Sequence, residues 1–148
     1  MPPQFKTEAQ GKVYARVAQI LQDQFGKQAR PNDEAPSFAI RAGSAFSTVV
    51  VTPINEKATV VRAYSWVVTG AESTPELRKY LLEENFNMRF GAFAQEPGTG
   101  DILFTHAILG EGMDVDEFMW TLMAVSNTAD EYDAQIVQRF GGQRAVDR

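Results

Sequence analysis

The sequence has no cysteine and only one histidine among its 148 residues. Disulfide bonds and thiol chemistry are therefore excluded, and a zinc site with the usual cysteine and histidine ligands is disfavoured. The apolar runs are far shorter than the roughly 18 residues that a membrane-spanning helix requires. The opening segment MPPQFKTEAQGK lacks the basic and then apolar pattern of a signal peptide. These absences predict a soluble, cytoplasmic protein that does not bind membranes.

Positive charge is also scarce, since acidic residues outnumber basic ones 19 to 14 and the net charge is −5. This balance disfavours nonspecific binding to nucleic acid. The length is that of one domain, and a chain of this size can bury enough surface to be stable without cross-links. We expect a single domain over 1–148 with an ordered core at about 7–142. A short arm would precede this core, and a loose tail over 143–148 would follow it.

Changes in hydrophobic period divide the chain into eight elements in the order α-β-β-β-α-β-β-α. Helical spacing of apolar residues behind capping residues predicts helices over about 8–25, 75–85 and 115–140. Alternating or β-branched segments predict strands over about 38–41, 45–52, 58–70, 88–95 and 101–110, with Gly43 and Ser44 as a short break. Hairpin-like connections without β-α-β alternation predict an α+β fold with an antiparallel sheet.

The longest predicted strand, ATVVRAYSWVVTG, has two different faces. One face carries small residues, which let helices pack closely on a sheet. The other face carries Arg62, Tyr64 and Trp66, and these residue types are enriched in the hot spots of protein interfaces. We therefore expect this second face to be open, with the three residues as candidate anchors for a protein partner. The alternative is that Trp66 is simply a core residue.

The last predicted helix has a sustained apolar seam. Its members recur every three or four residues and are Phe118, Leu122, Val125, Ala129, Tyr132, Ile136 and Phe140. This spacing predicts a core helix lying across the sheet. Met119 and Met123 widen the stripe beyond what one sheet covers, and methionine adapts well to varied partners. We therefore predict that both methionines contribute to a protein-binding or dimer surface.

Acidic residues surround Tyr132 in the segment TADEYDAQIVQRFGG. Asp130, Glu131 and Asp133 lie off the apolar seam, so we expect them on a solvated face. A metal site on Asp130 and Asp133 is an alternative, although hard cations prefer six or more oxygen ligands. Another alternative is an enzyme in which His106 acts with nearby carboxylates. No nucleophile motif accompanies His106, so we predict no catalytic residues, no cofactor and no metal.

Three pieces of the carboxyl-terminal half resemble the YbjN family. They are the hairpin NMRFGAFAQEPGTGDILFTHAIL, the helix start GMDVDEF and the closing helix TADEYDAQIVQRFGG. This family is described as bacterial sensory-transduction regulators and is grouped with type III secretion chaperones. The resemblance implies a type III secretion chaperone-like fold in which three helices flank a five-stranded antiparallel sheet. It also implies frequent homodimers and the binding of protein segments rather than catalysis.

Together these observations predict a non-enzymatic regulatory module that forms a homodimer and binds a segment of another protein. The segment would be extended or amphipathic and would lie on an exposed sheet face or edge. The alternative function is a sensor of small molecules, with its ligand between the sheet and the last helix.

Overall fold

The computed structural model describes residues 3–42 and 45–147, which form three helices and an antiparallel sheet of seven strands. The helices are α1 (Glu8–Phe25), α2 (Pro75–Phe86) and α3 (Val115–Phe140). The strands are β1 (Ala29–Pro31), β2 (Ser37–Ala42), β3 (Ala45–Pro53), β4 (Thr59–Thr69), β5 (Ala92–Gln95), β6 (Ile102–Leu109) and β7 (Gln143–Arg144). The predicted α+β class is confirmed.

Local chemistry sets the ends of the helices. The side-chain oxygens of Thr7, Thr74 and Asp114 each accept a hydrogen bond from the backbone N–H three residues further on. Each of these bonds satisfies a donor that the first helical turn leaves unpaired. The helices α1 and α3 end at Gly26 and Gly141, which have positive φ angles of 54° and 86°. These five positions agree with the starts and stops that the sequence predicts.

The strands follow the order β1-β2-β3-β4-β6-β5, and β7 pairs with the end of β4. Val49 of β3 lies opposite Ala63 of β4, and Ala63 lies opposite His106 of β6. Residues that lie opposite each other on neighbouring strands share one face of the sheet, so this row lies on a single face. A bulge between Trp66 and Val68 shifts the register at the end of β4. None of the helices described in 3–42 and 45–147 is long and apolar enough to cross a membrane.

The core lies between one face of the sheet and the helices, and we call this face the covered face. The small residues Val61, Ala63 and Ser65 are buried there, which allows α3 to approach β4 closely. The hydroxyls of Ser47 and Ser126 lie 2.7 Å apart and join β3 to α3 in the interior. The largest fully buried side chains are Phe104, Phe118, Leu21, Ile40, Leu77, Ile102, Leu122 and Ile136.

The sheet has seven strands rather than the five predicted, because the short strands β1 and β7 were not expected. The strand β1 lies between the first predicted helix and the first predicted strand, and three residues including a proline are too few to show a period. The strand β5 begins at Ala92 rather than near Met88, because Gly91 turns the chain with a φ of 83°. The predicted break at Gly43 and Ser44 lies outside the described residues.

The segment 143–147 is not the loose tail that was predicted. Gln143 and Arg144 pair with the end of β4, and the Arg144 guanidinium donates to both carboxylate oxygens of Asp147 at 2.8 and 3.1 Å. Gly142, with a φ of 81°, makes the entry to β7 possible, since a Cβ there would lie 2.7 Å from the carbonyl oxygen of Thr69. The strand β7 pairs with the last residues of β4, where β3 no longer pairs with β4. This free edge exists only once the sheet has folded.

The outer edge of β5 is occupied by a side chain. The backbone N–H of Phe93 donates to Asn85 Oδ1 at 2.6 Å, and Asn85 Nδ2 donates to the Phe93 carbonyl at 3.2 Å. Asn85 thus makes the two hydrogen bonds that a neighbouring strand would otherwise make.

Candidate protein-binding surfaces

The sheet face opposite the covered face has none of α1, α2 or α3 packed on it, and we call it the open face. All of its side chains are half-buried or exposed. They are Arg30 of β1; Ser37, Ala39 and Arg41 of β2; Phe46, Thr48, Val50 and Thr52 of β3; Val60, Arg62, Tyr64 and Trp66 of β4; Ala92 and Ala94 of β5; and Leu103, Thr105, Ala107 and Leu109 of β6. The turn Ala145–Asp147 reaches the Trp66 end of this face.

Aromatic rings and guanidinium groups alternate on the open face. The Arg41 guanidinium lies 5.5 Å from the centre of the Phe46 ring, and 58% of Phe46 is exposed. The rings of Tyr64 and Trp66 meet edge to face with their centres 6.2 Å apart. Arg62 Nη1 donates to Thr105 Oγ1 at 3.3 Å. The face therefore offers flat apolar surfaces beside hydrogen-bond donors, a combination that favours polypeptide binding.

A second surface lies on the covered side of the sheet, between β6 and the start of α3. It is a hollow of about 550 Å³, and we call it the aromatic hollow. Its lining residues are Arg89, Phe90, His106, Ile108, Glu117, Trp120 and Thr121. The Phe90 and Trp120 rings are nearly parallel with centres 6.5 Å apart, and 64% of Trp120 is exposed. Such exposed aromatic surface is also typical of interaction sites.

His106 lies in the aromatic hollow but has no acid–base partner among the described residues. Its ring meets Phe90 edge to face at 5.9 Å. Burial lowers the pKa of His106 below its usual value, and no carboxylate acts against this shift. Glu117 lines the same hollow without a hydrogen bond to His106 among those the structure describes. Within the described residues, His106 thus shares a hollow with Glu117 but is not hydrogen-bonded to a carboxylate.

The predicted binding residues divide between the two sides of the sheet. Arg62 is exposed on the open face, where Tyr64 and Trp66 are half-buried beside it. Met119 and Met123 lie on α3 on the other side, and Met119 packs against the hydrophobic core. The structure therefore brings Arg62, Tyr64 and Trp66 together and leaves the two methionines out of that group.

The acidic residues around Tyr132 differ from the prediction at one position. Asp133 is buried, with 4% of it exposed, whereas Asp130 and Glu131 are exposed as expected. Burial raises the pKa of Asp133, and the nearby Arg144 opposes this shift. Asp133 lies four residues after the buried Ala129, on the border of the apolar seam, where β7 packs against α3.

A metal site on Asp130 and Asp133 would need further ligands. Within residues 3–42 and 45–147, no group of three or more histidine, aspartate or glutamate side chains is placed to bind a metal ion. Tyr132, which lies between the two aspartates in sequence, donates a hydrogen bond from its hydroxyl to Glu84 Oε2 at 3.0 Å. This bond links α3 to α2. Burial and this hydrogen bond raise the pKa of Tyr132 to about 12.

Sequence reasoning missed Arg41 and Phe46 on the open face and Phe90 and Trp120 in the aromatic hollow. The period of two in AFSTVVVT was a usable signal for Phe46, because it places this residue on the same face as Thr48. Trp120 lies off the apolar seam of α3 and for that reason points outward. Phe90 meets Trp120 only in the folded chain, so no local pattern could have found the pair.

The order of elements, the single helical layer and the open sheet define an α+β protein in which one sheet face is left free of α1, α2 and α3. Residues 12–148 match the family described as T3SS (YopN, CesT) and YbjN peptide-binding chaperone 1, and the chain belongs to this family. The resemblance to YbjN proteins is therefore confirmed.

A solved structure with a similar fold is the crystal structure of the ExsC–ExsE complex. Its matching chain has 14% sequence identity to this one and a TM-score of 0.61. The match covers 82% of this chain and 93% of that chain. At this identity the likeness shows the fold alone. Comparison with curated proteins gives no significant match.

Proposed function

We propose that the protein binds an extended or amphipathic segment of another polypeptide on its open face. The observation that carries this proposal is the pairing of Tyr64 and Trp66 beside Arg62 on a sheet face that α1, α2 and α3 leave uncovered. Membership of a family of peptide-binding chaperones supports it. A regulatory role without catalysis in the bacterial cytoplasm is part of the proposal.

The proposal includes a homodimer, for which the outer side of α2 provides support. Leu82 and Phe86 are one helical turn apart, and they are 69% and 90% exposed. Two large apolar side chains at this spacing form a continuous stripe on the helix surface. Self-association through a twofold axis would bury the stripe of one protomer against that of the other.

The aromatic hollow is the rival site for a polypeptide, and it is also where a small-molecule ligand between sheet and α3 would lie. The comparisons lend no support to a small-molecule ligand. The open face is favoured for a polypeptide because it extends across several strands, whereas the hollow is confined to β6, α3 and the loop that carries Arg89 and Phe90.

The two tryptophans allow a direct test, because Trp66 lies on the open face and Trp120 lines the hollow. In a Trp120→Phe variant, Trp66 is the remaining tryptophan, and in Trp66→Phe it is Trp120. Titration with an amphipathic peptide should change the emission of Trp120→Phe and leave that of Trp66→Phe almost unchanged. The opposite pattern would place the peptide in the aromatic hollow and contradict the proposed site.

Sedimentation equilibrium tests the homodimer separately. The wild type should sediment as a dimer, and Leu82→Glu with Phe86→Glu should give a folded monomer, because charged side chains oppose burial of the stripe. The control is Lys79→Gln, an exposed change on the same helix. A wild type that stays monomeric at high concentration would refute this part of the proposal.

A further inference from the structure

The open face lacks acidic side chains in a protein that is acidic as a whole. None of the strand residues that the structure places on this face is aspartate or glutamate, although the chain has 19 of them. Three arginines, Arg30, Arg41 and Arg62, lie there instead. The nearest acids along the chain are in the connecting turns, such as Glu34 and Glu56. The open face is therefore a positively charged area on a negative molecule.

These three arginines have no carboxylate partner among the described residues. The ion pairs found there are Lys12–Glu8, Lys79–Glu83 and Arg144–Asp147, and none of them involves the open-face arginines. Arg62 contacts a threonine hydroxyl and Arg41 contacts an aromatic ring, so their guanidinium groups retain unused donors. Guanidinium forms its strongest hydrogen bonds with carboxylates and phosphates.

The spacing of the arginines fits an extended chain. Arg41 lies opposite Phe46 and Arg62 lies opposite Val50, so four residues of β3 and two strand spacings separate them. At about 3.3 Å per residue and 4.8 Å per strand, their Cα atoms are roughly 16 Å apart. About five residues of an extended polypeptide span that distance. Arg30 is closer to Arg41, roughly 8 Å away by the same reasoning.

A basic hollow marks the Arg41 end of the face. It measures about 390 Å³, and its lining residues are Lys27, Gln28, Arg30, Ala39, Ile40, Arg41 and Phe46. Three of the seven are cationic and none is acidic. A carboxylate bound here would lie near several positive charges, and an apolar side chain beside it would reach the Phe46 ring.

We infer that the polypeptide segment bound by the open face is acidic, with carboxylates placed on Arg41, Arg62 and Arg30. Apolar or aromatic side chains of the segment pack on Phe46 and Tyr64 between them. This inference rests on the proposed function, because it names the chemical class of the segment that the open face takes. It follows from charge complementarity between strands that carry arginines but no acidic residues on this face and an occupant that carries carboxylates.

A single-stranded nucleic acid is the other polyanion that aromatic and arginine side chains on a sheet can bind. The polypeptide is favoured because the chain belongs to a family of peptide-binding chaperones and carries a net charge of −5. That net charge opposes the long-range attraction on which nucleic-acid binding depends.

The test uses fluorescein-labelled peptides of roughly twelve residues, long enough to cross the sheet. In one peptide glutamate alternates with valine and phenylalanine, and in two matched peptides glutamine or lysine replaces glutamate. A labelled oligothymidine is the nucleic-acid probe. Fluorescence anisotropy is measured on the wild type, on Arg41→Gln, on Arg62→Gln and on their double variant. Arg89→Gln is the matched control, because it removes the same charge from the other side of the sheet.

The acidic peptide should bind most tightly, and its affinity should fall as salt is added. Each single open-face variant should weaken its binding about tenfold, the double variant more, and Arg89→Gln hardly at all. Each variant should have the same melting temperature as the wild type, which would show that its fold is retained.

Other outcomes would overturn the inference in distinguishable ways. Equal binding of the glutamine peptide would refute the acidic preference and leave the proposed function standing. Absence of binding by all three peptides would count against the proposed function itself. Tighter binding of oligothymidine, sensitive to the same variants, would assign the face to nucleic acid. Loss of dimerisation in the double variant would assign the face to a second copy of the chain.

Discussion

The covered face and the open face of the sheet are built from the same strands but differ in chemistry. On β4, Ala63 is buried under the helices, whereas Tyr64, the next residue, lies half-buried on the opposite side. The covered face is mainly apolar, and its small residues on β4 allow α3 to pack closely. The open face carries arginines and aromatic rings, which packing does not require. Alternate residues of β4 therefore serve packing on the covered face and, as we propose, peptide binding on the open face.

The largest effect is expected from a matched pair of phenylalanine truncations, one on each face. Phe104→Ala should lower the free energy of unfolding by about 3–5 kcal/mol, because it leaves a cavity at a fully buried position. Phe46→Ala should cost about 1 kcal/mol or less, since it removes an exposed ring and its contact with Arg41. Urea unfolding of both variants measures the difference. Similar losses would show that the open face contributes to the core.

An intermediate effect is expected at Gly142, where the chain turns from α3 toward the end of β4. Gly142→Ala should lower the free energy of unfolding by about 1–2 kcal/mol through strain at positive φ. The clash of the new Cβ with the Thr69 carbonyl oxygen should also detach β7 from β4. Faster hydrogen exchange at the amides of Gln143 and Arg144 would report this.

The control for this variant is Gly98→Ala, because Gly98 has a φ of 93° but open space around a new Cβ. It should show strain without faster exchange in β7. Unchanged protection of β7 in Gly142→Ala would contradict the role given to Gly142.

The smallest effect concerns pH and the acidic residue buried on the covered side. Burial raises the pKa of Asp133, so the folded state holds its proton more tightly than the unfolded state does. Its contribution to stability is therefore present below pH 3.8, the usual pKa, and is lost as the pH rises through the raised value. Asp133→Asn should remove this decline, which unfolding measured from pH 3 to 7 would show.

Glu131→Gln, an exposed neighbour, should retain the decline seen in the wild type. If Asp133→Asn and the wild type lose stability in parallel across this range, Asp133 is not the group responsible.

Local signals in the sequence predicted most of the fold. Caps at Thr7, Thr74 and Asp114 and the stop at Gly141 depend on neighbouring residues, so the helix bounds were recoverable. The period of two likewise placed Arg62, Tyr64 and Trp66 on one face. The burial of Asp133 and the docking of β7 were not predictable, because both depend on the edge that β4 offers after folding. The binding role of the three open-face residues stays a prediction.

The hydrogen bonds of Asn85 to β5 have a consequence for stoichiometry. Because this side chain occupies the outer N–H and C=O of Phe93, a strand added to the sheet has to join at the opposite edge, beyond β1 and β2. A complex formed by strand addition would then contain one added strand per protomer. Protomers could not be joined edge to edge into an open-ended polymer, since each has one edge that ends growth.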